Sequence, residues 1–576
     1  MSRSQIVLKG QGVSPGIAIG KVFTLEKKDH QAEPLSIDAS LAEQELQKFE
    51  QALANTKREL LDIAGTVASQ LDPQHLQIFQ AQIMLLDDPE VRKEVEKEIR
   101  ENLKSASAAY REVVERSLSV LQKSSNQYLR ERVSDVQAVR NRVLHQLAGG
   151  KLLSKIELAS PAIILADSLA PGELIQLNRK NILGLALKEA GATSHVALLS
   201  KAFNIPTVVA WEDGLESEPK ESSAIIDGHT GKVILYPDQE TLIFYQRRKK
   251  VWEAQLSKAA KLSGLPAQTK DKVKITLLAN IDIPEEAELA LKYGAEGVGL
   301  FRTEFLFLSA SGFPTEEGQF QIYNKVLEKF CPRPVTIRTT DLGGDKLFGA
   351  TDDNRDPNPF LGWRAVRVCL DSPALFRTQL RALYRASVKG NLKIMIPMVS
   401  CVEEVRQLKR MVKEVQRELR KEKVKFNPKV PLGIMVEIPS AALNASGLAK
   451  EVDFFSLGTN DLTQYTLAVD RGNKKVGHLF DELNPAVLKL IQMTIQAARR
   501  NKIEVSICGE LAAFPLALPA LIGLGLDKLS VAPVNLARVK TTLSKINLAK
   551  ARKLAQKLCT MTEKESVRKA LKGLFK

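Results

Sequence analysis

Cysteine, tryptophan and long apolar runs are all scarce in this chain. It has five cysteines and three tryptophans in 576 residues, and aromatic residues make up 5%. The cysteines, Cys331, Cys369, Cys401, Cys508 and Cys559, stand far apart, with no CxxC pair and no metal-ligand spacing. That argues against a disulfide framework and against a cysteine-based metal site. No segment approaches the roughly 20 apolar residues needed to cross a bilayer, and the N-terminus, MSRSQIVLKGQGVSPGIAIG, has no apolar run of secretory length. The expectation is a cytoplasmic protein with reduced thiols and no stable membrane insertion.

What is present is ordinary globular material, 44% hydrophobic and 26% charged, in a chain long enough for about three to five domains. The unusual quantity is a net charge of +16, from 83 Lys and Arg against 67 Asp and Glu. Such a balance raises nucleic acid, anionic lipid or phosphorylated small molecules as partners, and composition does not choose among them. The charge is also uneven. Residues 538–576 hold 12 bases and 2 acids, whereas residues 31–90 hold 3 bases and 11 acids.

Residues 1–30 have the alternation of short strands around Gly12-Val13-Ser14-Pro15-Gly16. From about Ser36 to His145 glycine almost vanishes, and Leu41, Leu46, Phe49, Leu53 and Leu60 recur at helical spacing. Asp72-Pro73 and Asp88-Pro89 look like helix starts, which predicts an all-helical insert of three or four helices. Strand signals return at Ala162–Ala166, Ala224–Ile226 and Val233–Tyr236. Residues 238–263 form a polar helix ending at Gly264-Leu265-Pro266. Beyond it, eight strand-like runs alternate with helical stretches: 275–280, 297–301, 335–339, 393–397, 433–437, 454–457, 504–508 and 528–532. That pattern predicts a (β/α)8 barrel, whose chemistry belongs at the C-terminal ends of its strands.

Polar residues crowd those ends: Arg302 and Glu304, Arg338 and Asp341, Glu437, Asn460 and Asp461, Cys508 and Glu510. Arginine grips phosphate or carboxylate with two parallel hydrogen bonds, so Arg302, Arg338 and Arg471 suit a multiply anionic substrate. Glu437 and Asp461 offer hard oxygen ligands for Mg²⁺. The same residues equally fit a structural network of arginine–acid pairs. In the first half, His195 follows Gly191-Ala192-Thr193-Ser194 and leads into an apolar helix. A helix N-terminus stabilises negative charge, and a neutral imidazole is a competent nucleophile. The alternative for a lone histidine is a satisfied structural side chain. His30, His75, His145, His229 and His478 lack this context.

Several long words in the sequence carry a resemblance. They are GVSPGIAIG (12–20), GATSH (191–195), GVGLFRTEFLF (297–307), RTTDLGGDK (338–346), NPFLGWRAVR (358–367), VEIP (436–439), DFFSLGTNDLTQYTLAVDRGN (453–473) and CGELA (508–512). Nearly end to end, the chain resembles the phosphoenolpyruvate-protein phosphotransferases, the enzyme I family of the bacterial sugar phosphotransferase system. The resemblance implies a multidomain α/β protein: a swivelling phosphohistidine domain (1–30 and 146–236) interrupted by a helical HPr-binding domain (31–145). A linker helix (237–265) and a phosphoenolpyruvate-binding, dimerising barrel (266–576) follow. It implies that phosphoenolpyruvate with Mg²⁺ phosphorylates His195, releasing pyruvate, and that the phosphoryl group passes to a histidine of HPr. Residue by residue, Arg302 and Arg338 would grip the phosphate, while Asn460 and Arg471 orient the substrate. Glu437 and Asp461 would hold Mg²⁺, Lys346 and Arg364 would make further substrate contacts, and Cys508 would protonate the enolate. The helix at 238–263 is the natural hinge of such a relay.

Some positions depart from that pattern. Ala190 replaces the first glycine of a pair, Ala170 a threonine near the histidine, Ala513 a glycine, Gln82 a histidine of the carrier-binding helices and Pro357 a glutamate. These bear on rate and carrier fit, not on reaction class. A phosphoenolpyruvate synthase or pyruvate phosphate dikinase would need a further ATP-binding domain, for which about 110 helical residues leave no room. A non-enzymatic carrier-binding regulator would not need Arg302, Glu437, Asp461 and Cys508 together. A nucleic-acid partner rests on net charge alone and is not expected. The acidic insert has the sign that suits a basic carrier surface, and the C-terminal bases are expected to be a solvated helical face.

Overall fold

The computed structural model describes residues 5–24, 36–70, 85–123, 133–148, 160–167, 181–188, 195–211, 222–264, 266–309, 313–343, 360–471 and 475–573, with Ile83, Leu158, Leu169, Leu174, Leu177, Asn358 and Asn473. The chain divides near Glu253 into two compact units.

The first unit is built on an eight-stranded mixed sheet: β1 (Ile6–Lys9), β2 (Gln11–Ser14), β3 (Ile17–Thr24), β4 (Ala162–Ala166), β5 (Ile182–Leu187), β6 (Thr207–Val209), β7 (Ser223–Asp227) and β8 (Lys232–Leu235). Their order is β1-β8-β7-β3-β4-β5-β6-β2. Strands from before and after the helical insert are thus neighbours: β3 pairs in parallel with β4 and antiparallel with β7. The period of two divides the side chains between two cores. Ile164, Leu185, Leu187 and Val209 join the core that the helices share, and Ile163, Leu165, Ala186 and Val208 join a second with Trp211 and Ile226. The glycine words at the strand turns mark close backbone approach. A Cβ on Gly12 would lie 2.2 Å from the Gly228 carbonyl oxygen, and one on Gly228 2.0 Å from that of Ser14.

Between β3 and β4, the described residues form four helices: α1 (Ala42–Gln70), α2 (Pro89–Arg100), α3 (Ala106–Lys123) and α4 (Val133–Leu147). Their inward stripes, Phe49, Leu53 and Leu60, Val95 and Ile99, Tyr110 and Val113, Val139 and Val143, are all nearly or fully buried. Each such side chain contributes about 1.5–3 kcal/mol. A buried ion pair, Arg142 with Glu59, ties α4 to α1. Asp88 caps α2 through the Glu90 N–H at 2.9 Å, with Pro89 in its first turn. Between β5 and β6 lies α5 (His195–Ala202), and after the last strand α6 (Gln239–Leu262) runs through the division between the units. The polar α6 is anchored at its start, where Tyr245 is buried among Ile17, Ile225 and Ile234.

The second unit is the closed barrel. Its strands are β9 (Thr276–Ile281), β10 (Val298–Phe301), β11 (Val335–Arg338), β12 (Leu392–Ile396), β13 (Leu432–Val436), β14 (Phe454–Leu457), β15 (Glu504–Ile507) and β16 (Lys528–Val531), all parallel, with β16 closing on β9. All eight coincide with the strand-like runs in the sequence to within a residue or two. Outward positions such as Leu277, Ile281, Val298, Ile337 and Phe455 pack on the surrounding helices in one continuous core. Inward positions Leu300, Met395, Met435 and Phe454 form a small separate cluster with Cys508. No helix among the described residues is long and apolar enough to cross a membrane, and all five cysteines are free.

Candidate functional site

The alternation that builds the barrel also aims the candidate residues. Phe301, Ile337, Val436, Leu457 and Ile507 face outward into the helical layer. The positions next to them, Arg302, Arg338, Glu437 and Cys508, therefore belong to the inner parity at the C-terminal strand ends.

The arginines meet acids there. Arg338 donates from Nη2 to Glu304 Oε1 at 2.8 Å and from Nη1 to Met435 Sδ at 3.7 Å, and its Nη1 forms an ion pair with Asp341 Oδ2 at 3.0 Å. Arg364 donates to Asp341 Oδ1 at 2.8 Å, and Arg302 Nη1 to Asp282 Oδ1 at 2.5 Å. Glu304 Oε1 also accepts the Asp341 N–H at 3.0 Å. These are the structural pairs the sequence left open, yet they do not exhaust the donors. Arg338 is 7% exposed, and its Nε is buried with no hydrogen-bond partner among the described residues. A buried guanidinium with an unused donor is a costly arrangement that an anion relieves. Nearby carboxylates hold the Arg338 and Arg302 guanidiniums firmly charged against the cost of burial.

Glu437 is fully buried. Its Oε1 accepts the Met398 N–H at 2.7 Å, while Oε2 has no hydrogen-bond partner among the described residues. Met398 provides that donor from a left-handed backbone, φ 58°, just beyond β12, a strained conformation for a non-glycine residue. Burial pushes the Glu437 carboxyl well up, helped by the negative charges of Asp341 and Asp461 and opposed by Arg338. Asp461 is raised by burial and by Asp341, against the pull of Arg364, Arg471 and Arg338. The carboxylates thus strain against one another, and one of them carries an orphaned buried oxygen. That donor set suits a hard divalent cation, and Mg²⁺ usually takes one or two carboxylates with substrate and water oxygens. No cluster of three or more metal-ligating side chains occurs among the described residues. Gly458, ahead of the helix that carries Asp461, leaves room for this carboxylate: a Cβ there would lie 2.9 Å from Glu437 Oε2.

Cys508 is 4% exposed. Ser456 Oγ donates to its Sγ at 3.3 Å, and Sγ lies 3.6 Å from the Leu457 carbonyl oxygen. Burial is the largest influence on the thiol and pushes it up, so the group stays protonated and available as an acid.

The remaining candidates are distributed. Asn460 and Glu510 are joined by the Glu510 N–H donating to Asn460 Oδ1 at 2.9 Å. Arg471 is exposed, with its backbone N–H on Gln464 at 3.3 Å. Lys346 lies outside the described residues, as do Gln82, Ala170, Ala190 and Pro357. The backbone of His195 opens α5, and its side chain lies outside the described residues. Ala513 is 9% exposed and accepts Arg538 through its carbonyl at 2.8 Å. Sequence reasoning missed Asp282, Met398, Ser456 and Tyr465, whose hydroxyl donates to the Phe360 carbonyl. Only Ser456, at the inner parity of β14, carried a usable signal.

Three family models match: PEP-utilising enzyme, N-terminal (residues 9–132), mobile domain (158–231) and PEP-binding domain (256–548). The chain is 38% identical over 569 residues, 99% of its length and 100% of the relative's, to a phosphoenolpyruvate-protein phosphotransferase of Bacillus subtilis (strain 168). It is 39% identical to one of Geobacillus stearothermophilus (99% and 98% covered) and 38% to one of Listeria monocytogenes serovar 1/2a (97% and 98%). An NMR structure described as Enzyme I aligns with 43% of this chain and 99% of its own at 33% identity, with a TM-score of 0.37. With relatives matching it over nearly its whole length and a barrel that matches the PEP-binding domain model and whose inner strand ends gather arginines, carboxylates and a thiol, the chain belongs to the phosphoenolpyruvate-protein phosphotransferase family of PEP-utilising enzymes and is a transferase.

Proposed function

We propose that the barrel binds phosphoenolpyruvate and passes its phosphoryl group to His195, which hands it to a histidine of HPr as the first step of a sugar-transport relay. The observation that carries this reading is the pair of unmet needs inside one barrel: among the described residues, Arg338 Nε–H has no acceptor and Glu437 Oε2 no donor. Arg302 and Arg338 bind the phosphate, Asn460 and Arg471 orient the substrate, and Arg364 and Lys346 add contacts. Glu437 and Asp461 would hold Mg²⁺, which when bound neutralises phosphate charge. His195 attacks phosphorus; the N–P bond forms as the bridging P–O bond breaks, leaving enolpyruvate. Cys508 then gives its proton to the methylene carbon, the oxygen electrons collapse to the ketone of pyruvate, and the thiolate recovers a proton from solvent. We further propose a cytoplasmic homodimer joined through the barrel, with α6 as the hinge.

The test is incubation with Mg²⁺ and phosphoenolpyruvate radiolabelled in its phosphoryl group. Acid-labile, base-stable label mapping to His195 and chased onto HPr is the expected result. Label absent from His195 overturns the relay, and label that stays on His195 in the presence of HPr overturns the acceptor.

A further inference from the structure

Asn280 is at the inner parity of β9: its register partner on β10 is Leu300, a residue of the lumen cluster, while its neighbours Ala279 and Ile281 pack outward. Its side chain serves neither its own strand nor β10. Nδ2 donates to the Cys508 carbonyl at 2.8 Å, and Oδ1 accepts from Ser530 Oγ at 2.6 Å. Since the barrel order is β15-β16-β9, the amide reaches past β16 to the residue that follows β15. The chemistry fixes its orientation. A carbonyl only accepts, so the amide nitrogen must face Cys508 and the amide oxygen turns to the hydroxyl.

Ser530 is itself immobilised. It is fully buried on β16 and lies against Gly299 of β10, where a Cβ would fall 2.4 Å from its Oγ. The Asn280 side chain on the Cys508 carbonyl is thus backed by Ser530 of β16, which in turn rests on Gly299 of β10. Along β15 and β16 the register pairs only Ile507 with Leu529, so the ladder on this side stops short of Cys508, whose N–H is held from the β14 side by the Leu457 carbonyl at 3.1 Å. Holding that carbonyl fixes the Cα–Cβ direction, and the Ser456 and Leu457 contacts then settle where Sγ points. Displacement of a reacting group by about 1 Å costs about 100-fold in rate, so a tie of this kind matters most at the step the thiol performs.

We propose that Asn280, oriented by Ser530, is a positioning residue for proton delivery: it holds the Cys508 carbonyl so that the thiol reaches the methylene carbon of enolpyruvate from one face. This rests on Cys508 being the acid, and the experiment separates the two ideas. Full-length protein with Mg²⁺ is given one equivalent of a single geometric isomer of phosphoenolpyruvate carrying one deuterium and one tritium at the methylene carbon, in ordinary water. Phosphoenolpyruvate affinity, the rate of pyruvate formation and the chirality of the pyruvate methyl are measured. The wild type is expected to give a chiral methyl group. Asn280→Ala and the isosteric Asn280→Asp, which has no amide N–H, are expected to bind phosphoenolpyruvate within about twofold of wild type, yet form pyruvate about 10- to 100-fold more slowly and with eroded chirality. Ser530→Ala is expected to fall the same way by less. Wild-type rate and chirality in both Asn280 variants, or loss of affinity in proportion to rate, overturns the proposal. Cys508→Ala with wild-type rate and chirality instead removes the acid assignment beneath it. Melting curves identify a variant that fails to fold, and Asn280→Asp and Ser530→Ala then decide.

Discussion

At the level of single residues, the barrel mouth is arranged around what its charged groups lack. Arg338 already spends donors on Glu304 and Met435 and pairs with Asp341, so its planar fork, not merely its charge, sets the geometry. Lysine offers a point charge that cannot hold both acids and still face a phosphate. Arg338→Lys is therefore expected to lower kcat/KM for phosphoenolpyruvate by about 100-fold or more, read in a steady-state assay with carrier. Gly458 makes a quieter contribution. Its missing Cβ would meet Glu437 Cβ and Oε2 at 2.9 Å and Met435 at 3.0 Å. Gly458→Ala must push the carboxylate aside, and Mg²⁺ affinity, followed by titration of the phosphorylation rate, is expected to fall about 10- to 100-fold with folding intact. Asp341 stands three residues after Arg338 in RTTDLGGDK, so that pair was within reach of the sequence. Glu304, 34 positions away, and the crowding of Gly458 by Glu437 and Met435 were not, because those contacts join different strands.

Among the helices, the bundle carries a pH-sensitive joint. Glu98 of α2 accepts hydrogen bonds from Lys104 at 2.8 Å, Asn102 at 2.8 Å and Arg116 at 2.5 Å, and these hold its carboxyl down at about 2. A carboxylate whose folded value lies below the ordinary value of about 4.3 stabilises the fold fully above that pH. It gives up that stability as pH falls through the folded value. Melting of the helical part, followed by circular dichroism on the full chain, is expected to weaken between about pH 4 and 2. Glu98→Gln should flatten that dependence and cost about 1–2 kcal/mol at neutral pH. The acidic surface around α1 and α2 is also more committed than its charge count implies. Asp87 pairs with Lys57 at 2.7 Å and Asp88 caps α2, so reversing Asp88 would disturb the helix as well as any carrier steering. Helices and strands themselves were readable, because periods of 3.6 and 2 record which face is buried. α6 was read as polar throughout, whereas Tyr245 fastens its first turns to the sheet.

For the whole molecule, the relay predicts separable duties. His195→Ala is expected to bind phosphoenolpyruvate within about twofold of wild type, because the proposed substrate-binding residues belong to the other compact unit, while giving no pyruvate in a single-turnover quench. Affinity lost in step with turnover would place part of the substrate site outside the barrel. The net charge of +16 has no part in this chemistry. Much of it sits in the last helices, where Leu548, Ala551, Ala555 and Leu558 face the core while Lys550, Lys553 and Lys557 are exposed.

The sequence alone determined the barrel's strands, the interrupted first domain and the residue types at the strand ends, since burial repeats locally and chemical identity is written in each side chain. Tertiary structure alone decided which acid meets which arginine, that Met398 serves Glu437, and that Asn280 reaches Cys508 past an intervening strand. Those partners lie up to 228 positions apart, and only closure of the barrel and its register bring their polar atoms within hydrogen-bonding range.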